Sequence, residues 1–201
     1  NHKKCFTNAV VKRDRTINSH TLNLKMKEKD MIVVAHCNFS NGSMDEWISF
    51  YNSQAEKRSK FTSNETLGIV SDSETIFTWT VGSQDQLAEH GADPEVAANI
   101  ARMNEQADVY EARESQDSDG PGQYFGVWTF ENETPQQWID VWRADEKRLS
   151  RNEVFAIVND NSVAVLLEAF GTPADHAQHL ERPEVKEHIE RINEKAQIWK
   201  V

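Results

Sequence analysis

A chain of 201 residues with 38% hydrophobic residues, six Trp and nine Phe has the length and apolar content for one large domain or two small ones. Its 33 acidic residues outweigh 22 basic ones, a formal net charge of −11, which argues against a nucleic-acid partner because binding phosphates needs a basic stripe. The longest apolar runs, "MIVVA" and "VAVLLEAF", are strand-sized and far short of the roughly 20 residues that span a bilayer, so no membrane partner is expected either. Nothing at the start resembles a secretory signal, although the first residue is not Met. Two cysteines, Cys5 and Cys37, make neither a disulfide framework nor a zinc-ligand spacing. A reducing, cytoplasmic compartment is the expectation, with a Cys5–Cys37 bridge as the alternative.

Residues 1–30 hold eight Lys/Arg against three acids. Within them "TLNLKMKE" alternates Leu22, Leu24 and Met26 with polar residues, the period of a half-buried strand. This arm either reaches an acidic partner or a sister subunit, which would make a homodimer, or is a solvated extension whose lysines block edge-to-edge pairing. From residue 31 the pattern becomes that of a packed domain. "MIVVAHCNF" reads as a strand. Ser43 and Glu46 then form a capping box, and Met44, Trp47, Ile48 and Tyr51 follow at helical spacing. A loop, "QAEKRSKFTSNE", leads into two strands, "TLGIVS" and "ETIFTWTV", joined by an Asp/Ser-rich hairpin turn. A short turn of helix precedes Pro94, which opens a helix with Val96, Ile100 and Met103 as its buried face, and "ADVYEA" closes the unit. Residues 114–121 contain no apolar residue and read as a linker.

Residues 122–201 repeat residues 31–113. At an offset of 89, "HGADPEVAANIARMNEQADVYEA" and "HLERPEVKEHIERINEKAQIWKV" share nine identities in 23 positions, and at an offset of 91 Trp47 meets Trp138. The capping box recurs as Thr134 and Gln137, the hairpin as "EVFAIV" and "SVAVLLEAF", and the second helix presents Val185, Ile189 and Ile192. Each half therefore reads β-α-β-β-α-β, the ferredoxin-like pattern, with helices on one face of its sheet. The bare face needs a cover. The expected fold is α+β: two tandem ferredoxin-like repeats whose sheets face each other as an intramolecular pseudo-dimeric barrel.

The passage "FTWTVGSQDQLAEHGADPEVAANI…ADVYE" resembles the antibiotic biosynthesis monooxygenase group of the dimeric α+β barrel superfamily, through Trp79, Leu87, His90, Pro94 and Tyr110. That resemblance implies a cofactor-independent oxygenase acting on an aromatic or quinol-like substrate. The haem-degrading branch places a His further along the second helix, where this chain has Ile100 and Ile189. A non-catalytic binding or stress-response barrel is the alternative, since fold does not settle function.

Alternation puts His36 and Asn38 on one face of the first strand and Cys37 on the other. If helices cover the first of these faces, Asn38, Trp79 and His90 line one pocket and form the catalytic set, with His36, Tyr51, Glu168 and His179 as further substrate contacts. The first half is the expected site, because the second has Thr129 and Leu167 where the first has Asn38 and Trp79. Core packing accounts for Trp79 as well, and His90 and His179 also suit the end of a helix, where a His interacts with the dipole. Glu168 interrupts an apolar strand; facing the barrel it would be an acid of raised pKa, and facing an Arg it would mean little. His176 and His179, three apart, suit a helix terminus better than a metal site. No metal or cofactor is expected.

Overall fold

A computed structural model describes residues 30–201; the N-terminal arm and Cys5 lie outside the described residues. The first half runs β1 (Met31–Phe39), α1 (Met44–Ser53), α2 (Ala55–Arg58), β2 (Thr62–Ser71), β3 (Glu74–Val81), α3 (Gln84–Ala92), α4 (Pro94–Met103) and β4 (Glu105–Glu114). The second runs β5 (Gly122–Thr129), α5 (Pro135–Ala144), β6 (Ser150–Asn159), β7 (Ser162–Ala169), α6 (Pro173–Leu180), α7 (Pro183–Arg191) and β8 (Lys195–Lys200). All ladders are antiparallel, and the strands close a barrel in the order β1-β3-β2-β6-β7-β5-β8-β4. The halves meet at two short seams. One is Ile69 opposite Ile157 between β2 and β6; the other is Arg113 opposite Lys200 and Glu114 opposite Trp199 between β4 and β8.

The helix starts are built as their sequences indicate. Ser43 and Thr134 each accept from the backbone three residues on, while Glu46 and Gln137 return a side-chain bond to the cap. The first-half loop carries a four-residue helix, α2, that its polar composition does not announce. Where a short turn was expected before Pro94, α3 is nine residues long. Helix α4 buries Val96, Asn99 and Met103, whereas Ile100 is exposed. Asn104 and Asn193 take left-handed backbone after the helices, with φ of 47° and 48°, a conformation Asn tolerates better than most residues. Each turns the chain so that the next residue, Glu105 or Glu194, accepts a bond from a tryptophan indole of the preceding layer, Trp47 at 2.8 Å or Trp138 at 2.7 Å.

Alternation along the strands sorts the apolar side chains into three layers. Val34, Ile76, Ala112, Phe125, Ala156, Ala164, Leu166 and Trp199, drawn from both halves, fill the barrel interior. Val33, Ala35, Cys37, Phe77 and Trp79 face outward under the first set of helices. Tyr124, Trp128, Val163, Val165 and Leu167 do so under the second. Gly126 is required here because a Cβ would lie 2.4 Å from the Trp128 ring.

Candidate functional site

The outward layer of the first half is filled. Trp79 on β3 is only 5% exposed and donates through Nε1 to the Tyr51 hydroxyl of α1 at 2.8 Å. That hydroxyl donates in turn to Glu65 at 3.1 Å. The buried Arg58 of α2 lies 3.6 Å from the Tyr51 ring centroid, donates to the Tyr51 carbonyl, and forms a forked pair with Glu65 at 3.2 and 3.1 Å. Asn64, with φ of 52°, lies in the bulge of β2 beside Glu65, which meets Arg58 and Tyr51. Phe61 packs edge-on to Trp79 and against His90, ring centroids 6.4 and 5.2 Å away. Burial drives the Tyr51 pKa up to about 12 and, with the Arg58 charge second, pushes that of His90 down.

The expected catalytic set is only partly brought together. Trp79 and His90 do meet, with ring centroids 5.7 Å apart, and Tyr51 joins them. Asn38 does not, because the helices cover the face of β1 that carries Cys37; Asn38 sits exposed on the barrel side. His36 shares that side and binds Glu74 at 2.6 Å. Glu168 is likewise on the barrel face of its strand, at the rim, paired with Arg151 and with Asn152 at 3.0 Å. The Arg151 hydrogen bond holds its carboxyl below the usual range, the opposite of a buried acid.

The same layer of the second half is open. Between the outer face of β5, β7 and β8 and helices α5, α6 and α7 lies a chamber of about 1220 Å³, above the usual few hundred to ~1,000 Å³ of small-molecule sites. Comparing positions across the repeat explains it. Phe61 corresponds to Leu149: the Phe61 carbonyl accepts from Gly82 N and the Leu149 carbonyl from Phe170 N. Trp79 corresponds to Leu167 in the strand register, so two aromatic rings are replaced by leucines. Tyr51 corresponds to Trp142, whose Nε1 is buried without a partner. Helix α7 has no fully buried residue, in contrast to α4, while α6 matches α3 in having none. Leu180 of α6 and Val185 and Ile189 of α7 border the chamber instead of closing it.

The chamber is lined along β5, β7 and β8 by Tyr124, Trp128, Leu167, Ala169, Ala196 and Ile198, and its two ends differ. At the end where β5 begins, His176 of α6 stands where the first half has Leu87, a residue of the first-half core. It bonds the Phe170 backbone, and burial pushes its pKa down. His179, an expected substrate contact, also lines this end. Both its nitrogens are engaged, Nδ1 by Arg182 at 3.2 Å and Nε2 by Asp145 at 3.4 Å, so it braces α6 against the end of α5. At the far end stands Glu194 beneath Trp138. Trp128, Trp138 and Trp142 form one aromatic wall, with ring centroids 5.0 to 5.7 Å apart. Residues 115–119 border the mouth, anchored by Arg113 on Asp119. Leu149 and Glu194 carry no mark in the sequence, and His176 stands out there only with His179, as a pair suited to a helix terminus. Comparing the two halves marks Leu149, opposite Phe61, and His176, opposite Leu87, whereas Glu194 is matched by Glu105 and gives no such signal.

No protein-family model and no curated protein matches the chain. Among solved structures it is similar in outline to a candidate monooxygenase from Lactobacillus acidophilus, with a TM-score of 0.36 and 11% identity over 86% of this chain and 93% of that one. A candidate monooxygenase from Fusobacterium nucleatum gives 0.35 and 11% over 86% and 92%, and an anthrone oxidase-like protein 0.30 and 12% over 87% and 92%. The fold assignment rests on the strand pairing described above: a mixed α+β structure around an eight-stranded antiparallel barrel. No helix among the described residues is long and apolar enough to cross a membrane.

Proposed function

We propose that the chain is a fused pair of ferredoxin-like units in which the second unit binds a planar, largely apolar aromatic molecule of phenol or quinol type. The observation that carries this reading is the set of paired positions Phe61/Leu149, Trp79/Leu167 and Leu87/His176, which fills one layer and leaves the other open, tryptophan-walled and supplied with an imidazole. Tryptophan faces stack on planar rings, and an apolar chamber with few polar groups suits a ligand of that kind.

The resemblance of residues 77–111 to the antibiotic biosynthesis monooxygenases extends the reading to oxidation by dioxygen. In that reaction a ring C–H of a phenol becomes a second carbonyl. One atom of O₂ enters the product quinone and the other leaves as water with the two hydrogens the phenol gives up, so no external reductant is consumed. His176 has the properties of the base: burial favours its neutral form, and one nitrogen is held by the Phe170 backbone while the other can take the phenolic proton. Oxygen-electrode measurements with polycyclic phenols should show one O₂ consumed per quinone formed. His176→Leu, the first-half residue, should slow uptake about 100-fold or more with ligand affinity retained. Binding without uptake in the unaltered protein would assign it to the non-catalytic binders.

A further inference from the structure

The lining of the chamber is one-sided in charge. It carries six carboxylates, on Asp117, Asp119, Asp145, Glu146, Glu184 and Glu194, against three basic side chains, on Lys147, Arg148 and Arg182. Both arginines are already committed. Arg182 binds Asp145 through both oxygens at 2.9 Å and Glu184 at 2.8 Å, and Arg148 binds Glu153 at 3.0 Å and the Arg143 and Asp145 carbonyls. An organic anion would find no free guanidinium there, and the remaining basic side chain, Lys147, is exposed to solvent, which screens its charge.

Among the six acids Glu194 is distinct in position. It closes the end of the chamber opposite His176, and its Oε2 is taken by Trp138 Nε1. Its first-half counterpart, Glu105, accepts from Trp47 and has the Cys37 thiol as a neighbour. In the second half the place of Cys37 is held by Trp128, which brings no thiol to Glu194. Oε1 is therefore the acceptor that Glu194 can offer the chamber.

We propose that Glu194 determines the specificity of the chamber: its Oε1 accepts the hydrogen of a hydroxyl at the end of the ligand away from His176, selecting an uncharged, elongated aromatic diol and rejecting aromatic carboxylates. This rests on the reading of the chamber given above and narrows its substrate class.

Calorimetric titration under argon at pH 7 with 2,6-dihydroxynaphthalene, 6-methoxy-2-naphthol and 6-hydroxy-2-naphthoate tests it. The unaltered protein should bind the diol about 10-fold or more tightly than the methyl ether, since the ether lacks one hydroxyl donor to the Glu194 carboxyl, and the carboxylate no better than the ether. In Glu194→Gln the amide oxygen still accepts from Trp138, while its NH₂ replaces the free acceptor. The diol should lose its advantage there and the ether should bind as before, which also reports that the variant is folded. A diol preference that survives in Glu194→Gln, or a carboxylate that binds as tightly as the diol, overturns the specificity proposal. The chamber itself is tested separately by Leu167→Trp, which puts the first-half side chain into the space. Loss of ether binding there supports the chamber. Ether binding unchanged there, or absent from the unaltered protein, overturns the chamber reading and this proposal with it.

Discussion

Trp79 and Leu167 stand at the same place in β3 and β7, and the difference between them has opposite consequences for stability and for open space. Trp79 is packed against Tyr51, Phe61, Phe77 and His90 and hydrogen-bonded through its indole. Trp79→Leu should therefore destabilise the fold by about 2–4 kcal/mol, in the range of large-to-small core changes, measured as a lowered denaturation midpoint, and should leave ligand affinity in the second half unchanged. The two histidines add a pH dependence whose direction follows from their surroundings. Burial, the leading cause for both, pushes the pKa of His90 and of His176 below the usual value, so the fold favours the neutral imidazole. Their contribution to stability is complete above the ordinary His pKa of about 6.5 and is lost as pH falls through that value toward the lowered one. Denaturant midpoints should fall between pH 7 and pH 5, and fall less in a His90→Gln, His176→Leu double variant; equal losses would remove these residues as the cause.

At the scale of elements the repeat is close in construction and different in tightness. The capping boxes, the Pro starts at α4 and α7 and the Asn–Glu corners at β4 and β8 occur in both halves, yet of the paired helices α4 and α7 only α4 has buried residues, while α3 and α6 have none. Backbone amides of α7 should exchange with deuterium faster than those of α4, and should slow when the chamber is saturated with ligand. Equal protection in the free protein would mean that the second layer is as closed as the first. These elements were largely legible in the sequence, because capping residues, Pro positions and strand alternation are local signals. Three things were not. Alternation shows that His36 and Asn38 share a face but not which face the helices cover, and the helices chose the other. The helix α2 and its Arg58 lie in a polar stretch with no periodicity, so the residue that fills the first layer was read as loop. Leu167 looked like the loss of an aromatic site residue, because a one-residue reading cannot tell a missing wall from a vacated space.

For the whole molecule, the two sheets share an interior core in which Phe125 and Trp199 of the second half pack with Val34 and Ile76 of the first. The seams are short, and the shared apolar core does most of the joining. Two separate identical chains would have to carry two identical outer layers. A single chain with two differing halves can keep one layer packed for stability and open the other, as Phe61 against Leu149 and Trp79 against Leu167 do here. The proposed binding site is therefore asymmetric: among the described residues the chamber lies in the second half. Its most direct test is the stoichiometry of 2,6-dihydroxynaphthalene binding, measured calorimetrically on the unaltered protein, Trp79→Leu and Leu167→Trp. One site per chain, retained in Trp79→Leu and abolished in Leu167→Trp, is the expected result. Two sites per chain, or a single site that survives Leu167→Trp, would contradict it.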